Sequence, residues 1–181
     1  MSVIAFKVFE DKIQVAADGR CVSDDKIISE HYTKVYKISD SLIIGVTGLA
    51  DTIGIFKKFV EANKVVFERL DNVADTLPLF KRFRDYVIDN YGFNEESVKE
   101  FGGFFFTNKK FHATIYYSEE YHYPFAIQEC NSQGAFGSTG IYTTALIDSG
   151  MELEEAIKRS AEKYTSINGN VIILEIQRWR N

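Results

Sequence analysis

The sequence has few of the residues on which small metal-binding or disulfide-stabilised proteins depend. Its 181 residues include only 2 cysteines and 3 histidines. Cys21 and Cys130 are far apart in the chain, whereas zinc sites and disulfide frameworks use closely spaced or multiple cysteines. We therefore expect no metal site, no cofactor and no disulfide framework.

Long apolar runs and an excess of basic charge are missing as well. No stretch approaches the roughly 20 apolar residues of a membrane span, and Lys7, Glu10 and Asp11 interrupt the first apolar segment, unlike a signal peptide. The formal net charge is −5, whereas a phosphate backbone requires a basic protein face. We expect a cytoplasmic protein that binds neither membranes nor nucleic acid.

Proline is scarce too, with 2 residues, and no Gly/Ser-rich linker divides the chain. A chain of 181 residues that is 45% hydrophobic and 26% charged fits one ordinary globular domain. We predict a single domain over residues 1–181.

The hydrophobic patterns predict strands, two helices, strands, two helices and a last strand. The N-terminal half is predicted to contain a hairpin that turns at Glu10 and Asp11 and continues over Lys12–Ala17, a loop over Cys21–His31, strands over Tyr32–Ile38 and Leu42–Val46, and helices over about Ala50–Leu70 and Leu77–Tyr91. The C-terminal half is predicted to contain a hairpin over 104–117, a strand over Tyr121–Glu129, a glycine-rich strand end over Gly134–Gly140, helices over about Gly140–Ser149 and Glu152–Tyr164, and a strand over Val171–Gln177. Hairpins separated from helix pairs indicate an α+β protein with antiparallel sheets and helices outside them. Two stacked sheets of this kind form a four-layer αββα sandwich.

The first hairpin brings two reactive residues together. Its length returns the end of the second strand to the start of the first, so that Asp18 is expected beside Ser2. If Met1 is removed, Ser2 carries a hydroxyl and a free α-amine, which act together as nucleophile and base. Such an amine has a pKa of roughly 7.7–8.0 and is partly neutral at physiological pH.

Three segments carry a resemblance to a known family. They are Ser2 with the hairpin that closes at Asp18-Gly19, the stretch from Lys34 through Gly45 and Gly48 to Asp51, and Gly137-Ser138-Thr139-Gly140-Ile141-Tyr142 before a helix. In this order and spacing the chain resembles the N-terminal-nucleophile hydrolases, in particular the proteasome β-subunit branch that includes HslV. The resemblance covers most of the chain and implies the four-layer sandwich.

The resemblance also implies catalytic roles. Ser2 would be the nucleophile, and Asp18 and Lys34 would form a charge pair beside it. The Gly45 amide would form the oxyanion hole, and Ser138 would be the family's supporting serine. A lysine paired with an aspartate supplies a positive potential that lowers the pKa of a nearby hydroxyl. Each residue taken alone also has a structural interpretation: a turn for Asp18, a surface strand position for Lys34, a bulge for Gly45 and a helix N-cap for Ser138. Their joint spacing favours the catalytic interpretation.

The same resemblance implies a substrate pocket and partners. The first specificity pocket would be lined by Cys21, Tyr32, Ile43 and Thr47, which indicates cleavage after hydrophobic residues. Identical subunits would form a homo-oligomeric ring around peptides or unfolded proteins. The sequence has no ATPase motif, so that any ATPase unfoldase would be a separate polypeptide.

One segment departs from the family pattern. Where the family has Asp-x-x-Ser-Gly, this chain has Thr165 for the aspartate and Asn168 for the serine. Three hypotheses therefore stay open: a peptidase with an N-terminal serine, a small-molecule amidase on the same fold, and an assembly protein with weakened or lost catalysis.

Overall fold

The computed structural model describes residues 2–23, 26–48, 50–92, 102–107, 112–116, 126–129 and 132–178. Its strands are β1 (Val3–Val8), β2 (Lys12–Asp18), β3 (Cys21–Ser23), β4 (Lys26–Ser29), β5 (Val35–Ser39), β6 (Leu42–Thr47), β7 (Gly102–Thr107), β8 (His112–Tyr116), β9 (Ala126–Glu129), β10 (Gln133–Gly137) and β11 (Val171–Gln177). Its helices are α1 (Ala50–Ala62), α2 (Lys64–Phe67), α3 (Val73–Tyr91), α4 (Gly140–Asp148) and α5 (Leu153–Lys163). The predicted turn after Thr107 and the predicted strand start at Tyr121 lie outside the described residues.

The strands form two larger antiparallel sheets. One has four strands in the order β10-β1-β2-β11, and the other has five strands in the order β5-β6-β7-β8-β9. Strands β3 and β4 pair only with each other among the described residues. The pairing of β1 with β2 and of β7 with β8 confirms the predicted hairpins.

Three apolar clusters show how these sheets are layered. Side chains of a strand alternate between its two faces, and in β1 Ile4 and Phe6 point to the middle of the molecule while Val3 and Ala5 point outward. The middle cluster joins the two sheets, because it also contains Ile43 of β6. The outer clusters join α4 and α5 to the four-stranded sheet, and α1 and α3 to the five-stranded sheet. The predicted four-layer αββα sandwich is confirmed.

Two predicted helix boundaries are wrong for local reasons. The helix predicted over about Ala50–Leu70 is interrupted at Asn63, whose φ of −115° and ψ of 18° leave the helical region and whose side-chain amide donates to the Phe59 carbonyl at 2.8 Å. The next helix begins at Val73 rather than Leu77. Its N-cap is Asn72, which accepts a hydrogen bond from the Asp75 N–H at 3.1 Å.

The segment predicted as a loop over Cys21–His31 is a hairpin instead. Strands β3 and β4 pair Val22 with Ile27 and Ser23 with Lys26. Ile27 and Ile28 are exposed, so that this hairpin lacks the alternating apolar pattern by which a half-buried strand is recognised. The N-cap of α4 is Thr139, which makes no side-chain cap bond.

Candidate active site

The first hairpin places Asp18 against the start of β1. The register pairs Ile4 with Ala17, and the Val3 N–H donates to Asp18 Oδ1 at 2.8 Å. Ser2, the residue before Val3, is buried, with 5% of its surface exposed. The sequence therefore brings Ser2 and Asp18 together by strand pairing alone.

Lys34 approaches the same carboxylate from the loop before β5. Its Nζ donates to Asp18 Oδ1 at 2.8 Å and to the Arg20 carbonyl at 2.6 Å. The side chains of Lys34 and Asp18 are 3% and 0% exposed. Asp18 Oδ2 accepts from the Arg20 N–H at 2.9 Å, so that both oxygens of the carboxylate have partners. A buried ion pair needs such additional hydrogen bonds to offset its loss of hydration.

The burial of Lys34 changes its acidity. Desolvation lowers the pKa of the Lys34 ammonium below its ordinary value, and the charge and hydrogen bond of Asp18 oppose this shift. The Lys34 ammonium therefore releases a proton more readily than a surface lysine does. A group of this kind can both stabilise a nearby negative charge and take part in proton transfer.

Ser138 contacts Ser2 from the opposite side. Strand β10 pairs with β1, and the Ser138 N–H donates to the Ser2 carbonyl at 2.9 Å, with the Ser138 hydroxyl at 3.4 Å from the same oxygen. The Ser138 Oγ is also 3.4 Å from the Ser166 Oγ. This close approach requires glycine at the preceding position, since Gly137 has a φ of 101° and a Cβ there would lie 2.0 Å from the Ser2 carbonyl oxygen.

Gly45 lies inside β6, where its amide faces another strand. The Val46 N–H donates to the Lys34 carbonyl at 2.9 Å, toward β5. Successive amides of a strand point to opposite sides, so the Gly45 N–H points to β7, in which Phe104 is its register partner. Gly48 follows the end of β6, is exposed and has a φ of 114°. The geometry of the sheet does not support the predicted oxyanion role of Gly45.

The residues predicted to line a substrate pocket do not share one environment. Cys21, Tyr32 and Thr47 are half-buried. Ile43 has no exposed surface and packs in the middle cluster between the two sheets. Its position in β6 turns the side chain inward, so that the structure corrects the prediction that Ile43 contacts substrate.

The loop after β2 is held by three residues that the sequence did not connect with Lys34. The Arg20 guanidinium forms an ion pair with Glu30 at 3.0 Å, and buried Asn168 contacts both Gly19 and Glu30. The hydrogen bonds from Arg20 and Asn168 lower the pKa of the Glu30 carboxyl. Residues 20, 30 and 168 are too far apart in sequence for a local pattern to have revealed this contact.

The described part of the chain offers neither a metal-binding cluster nor a helix suited to a membrane. Within that part, no three His, Cys, Asp or Glu side chains are arranged to hold a metal ion. None of its helices combines the length and the apolar character needed to cross a membrane.

Solved structures with similar folds come from bacteria and a eukaryote. The structure of Thiobacillus denitrificans BPH in complex with epoxomicin is similar with a TM-score of 0.77 and 13% identity, over 98% of this chain and 100% of that one. A second structure of Thiobacillus denitrificans BPH has a TM-score of 0.75 and 14% identity, with coverages of 99% and 100%. Eukaryotic HslV from Trypanosoma brucei has a TM-score of 0.66 and 14% identity, with coverages of 97% and 99%. No curated protein matches the sequence.

A family model settles the relationship that these folds suggest. The model of the proteasome subunit matches residues 1–159. That range contains the hairpin of Ser2 and Asp18, the buried Lys34, and the β10–α4 turn at Ser138. The chain belongs to the proteasome subunit family.

Proposed function

We propose that the protein is a peptidase that cleaves peptide bonds with Ser2 as its N-terminal nucleophile, once Met1 has been removed. The observation that carries the proposal is the shared oxygen Asp18 Oδ1, which accepts from the Val3 N–H and from Lys34 Nζ, each at 2.8 Å. One buried carboxylate thus ties a buried cation to the peptide that follows Ser2. Membership of the proteasome subunit family supports the same reaction class.

In the proposed reaction, the Ser2 hydroxyl oxygen attacks the carbonyl carbon of the scissile peptide bond. Its proton passes to the free Ser2 α-amine, directly or through a water, and then to the nitrogen of the leaving peptide as the C–N bond breaks. A water molecule next attacks the resulting ester and releases the second peptide. The Lys34 ammonium, fixed by Asp18, stabilises the negative charge that develops near Ser2 in both steps.

We assign the oxyanion donor to the Gly48 amide rather than to Gly45. The Gly45 amide faces β7, whereas Gly48 follows the strand end that is bonded to the Lys34 carbonyl through Val46. A positive φ of 114° at Gly48 is accessible to glycine without strain. Pre-aligned backbone donors of this kind typically contribute a factor of about 100–1000 in rate.

The proposals on assembly and substrate rest on the family rather than on this chain alone. We propose a homo-oligomeric ring of identical subunits that degrades peptides or unfolded proteins, with any ATPase unfoldase supplied as a separate chain. The half-buried Cys21, Tyr32 and Thr47 are proposed to line the first specificity pocket, with a preference for hydrophobic residues. One observation favours the second candidate, an assembly protein without activity: Thr165 stands where the family pattern has an aspartate.

Replacement of Ser2 tests the proposal against that second candidate. Ser2→Ala should abolish hydrolysis of unstructured protein and of short peptides, while the matched Ser2→Thr variant, which keeps a hydroxyl, should retain activity. Thermal unfolding of both variants should stay close to that of the unchanged protein, because Ser2→Ala removes one hydroxyl and Ser2→Thr adds one methyl group. Hydrolysis by Ser2→Ala at the unchanged rate would remove Ser2 from the mechanism, and a fully purified protein without any hydrolysis would favour the assembly protein.

A further inference from the structure

We propose that Glu30 is a positioning residue of this site: through Arg20 and Asn168, its carboxylate fixes the loop after β2 that holds Lys34. The inference deepens the proposed function and rests on it. It also accounts for the absence of a carboxylate at position 165, because Glu30 supplies one from another part of the chain.

The contact between Arg20 and Glu30 is bidentate. Arg20 Nη2 donates to Glu30 Oε1 at 3.0 Å, and Arg20 Nε donates to Glu30 Oε2 at 3.2 Å. The remaining nitrogen, Nη1, donates to the backbone carbonyl of Thr165. Two parallel bonds between guanidinium and carboxylate fix orientation as well as distance, so that the Arg20 side chain is held in one geometry.

Asn168 fastens the same loop from a third segment. Its Nδ2 donates to the Glu30 carbonyl at 2.8 Å and to Glu30 Oε2, and its Oδ1 accepts from the Gly19 N–H at 3.0 Å. Asn168 is 6% exposed. A Cβ at Gly19 would lie 2.6 Å from the Glu30 carbonyl oxygen, which shows how closely the two segments are pressed together. Loss of the Glu30 carboxylate would leave part of this network without its acceptor.

The loop that is fixed in this way provides the partners of Lys34. The Arg20 carbonyl accepts from Lys34 Nζ at 2.6 Å, and the Arg20 N–H binds Asp18 Oδ2 at 2.9 Å. A displacement of Arg20 therefore disturbs one acceptor of Lys34 directly and the other through Asp18. Misplacement of a catalytic group by about 1 Å is enough to cost roughly a hundredfold in rate.

The charges around Lys34 support the same role for Glu30. The groups that act on Lys34 are Asp18 and Cys21, which raise its pKa, and Arg20, which lowers it. The Glu30 carboxylate offsets the Arg20 charge at close range. Without that carboxylate, the Arg20 charge would act on Lys34 uncompensated, lower the pKa of the Lys34 ammonium further and make it a stronger acid.

The first experiment compares Glu30→Gln with a matched control. Glu30→Gln keeps the shape of the side chain and removes its charge, and Glu154→Gln removes the charge of an exposed carboxylate that pairs with Lys158 at 2.6 Å on α5. We expect kcat for peptide hydrolysis to fall about tenfold or more in Glu30→Gln, with KM within about threefold, and neither to change in Glu154→Gln. Equal kcat in the two variants would overturn the positioning role.

The second experiment measures Lys34 directly and adds a rescue. NMR titration of the labelled lysine side chain should show a lower pKa for Lys34 in Glu30→Gln than in the unchanged protein, because the Arg20 charge is no longer offset. Adding Thr165→Asp, which introduces a carboxylate at the residue whose backbone carbonyl binds Arg20 Nη1, should return both this pKa and kcat toward their original values. An unchanged pKa in Glu30→Gln, or a double variant that neither folds nor regains activity, would overturn the proposal. The titration does not depend on turnover, so that it separates the role of Glu30 from the identity of the nucleophile. If the pKa of Lys34 falls in Glu30→Gln while Ser2→Ala is still active, Ser2 is not the nucleophile and the role of Glu30 stands.

Discussion

The ion pair of Lys34 and Asp18 loses its hydration on burial, and removal of either partner destabilises the folded protein. Each charge alone would be strongly destabilising in this setting, since a buried ion left without its partner typically costs about 3–5 kcal/mol. Together they are hydrogen-bonded to the Val3 and Arg20 backbone as well. The pair therefore has a structural function, the attachment of β1 to the loop after β2, in addition to the proposed catalytic one.

This double function predicts non-additive stability effects. Lys34→Met should lower the free energy of unfolding by about 3–5 kcal/mol, because it leaves the Asp18 carboxylate buried without its cation. The double variant Lys34→Met with Asp18→Asn should be destabilised less than Lys34→Met alone, because the asparagine oxygen can still accept from the Val3 N–H without a charge. Urea unfolding at neutral pH measures both.

The comparison of the two variants distinguishes two descriptions of the pair. A double variant that is less stable than Lys34→Met would mean that Lys34 and Asp18 do not interact in the folded protein. Both variants should be inactive in peptide hydrolysis in either case, so that stability and activity report separately on this pair.

One glycine inside β6 and one just after it lie in different environments. A Cβ at Gly45 would lie 3.0 Å from Ile4 Cδ1 and 3.3 Å from Val35 Cγ1, inside the cluster between the sheets. Gly48 lies beyond the strand end, exposed to solvent. Glycine at position 45 is thus explained by packing, and glycine at position 48 by backbone conformation and by the proposed oxyanion contact.

A pair of alanine substitutions separates these explanations. Gly45→Ala should lower the free energy of unfolding by about 1–3 kcal/mol through overpacking, with kcat within a few-fold of the original. Gly48→Ala should lower kcat by about tenfold or more, because a residue with a Cβ is strained at this φ and shifts the turn and its amide. Peptide hydrolysis and thermal unfolding of both variants provide the comparison, and a reversed pattern would return the oxyanion role to Gly45.

Elements whose residues alternate over several positions could be predicted from sequence. The β1–β2 hairpin follows from alternation and a short polar turn, and its register alone brings Asp18 to Val3. Strand β11 has its predicted bounds, Val171–Gln177, because an apolar run follows the Asn168-Gly169 turn. The β3–β4 hairpin could not be recognised, because its exposed Ile27 and Ile28 give no two-sided pattern.

Contacts between segments that are distant in the chain could not be predicted from the sequence. Nothing around Glu30 or Asn168 indicates that they meet, since 138 positions separate them. The direction of the Gly45 amide likewise depends on which strand lies on each side of β6, a property of the sheet rather than of the glycine motif. The spacing of Ser2, Asp18 and Lys34 was informative because strand pairing converts it into proximity.

At the scale of the molecule, the candidate site lies at the start of β1 and the end of β2, the two inner strands of the four-stranded sheet. The four-stranded sheet contributes Ser2 and Asp18 through β1 and β2, and the segment that leads into the five-stranded sheet contributes Lys34. The apolar cluster between the sheets joins these contributions, since Ile4 of β1 packs with Val35 of β5. The proposed site thus depends on the packing of both sheets and not on one hairpin alone.

The measurement that tests the central claim most directly is the intact mass of the purified protein, before and after incubation with a serine-reactive covalent peptide inhibitor. We predict a mass lower by one methionine, and a single covalent adduct that peptide mapping assigns to Ser2 and that is absent from Ser2→Ala. A mass that includes Met1, with no adduct at Ser2, would contradict the account, because Ser2 would then have no free amine with which to act.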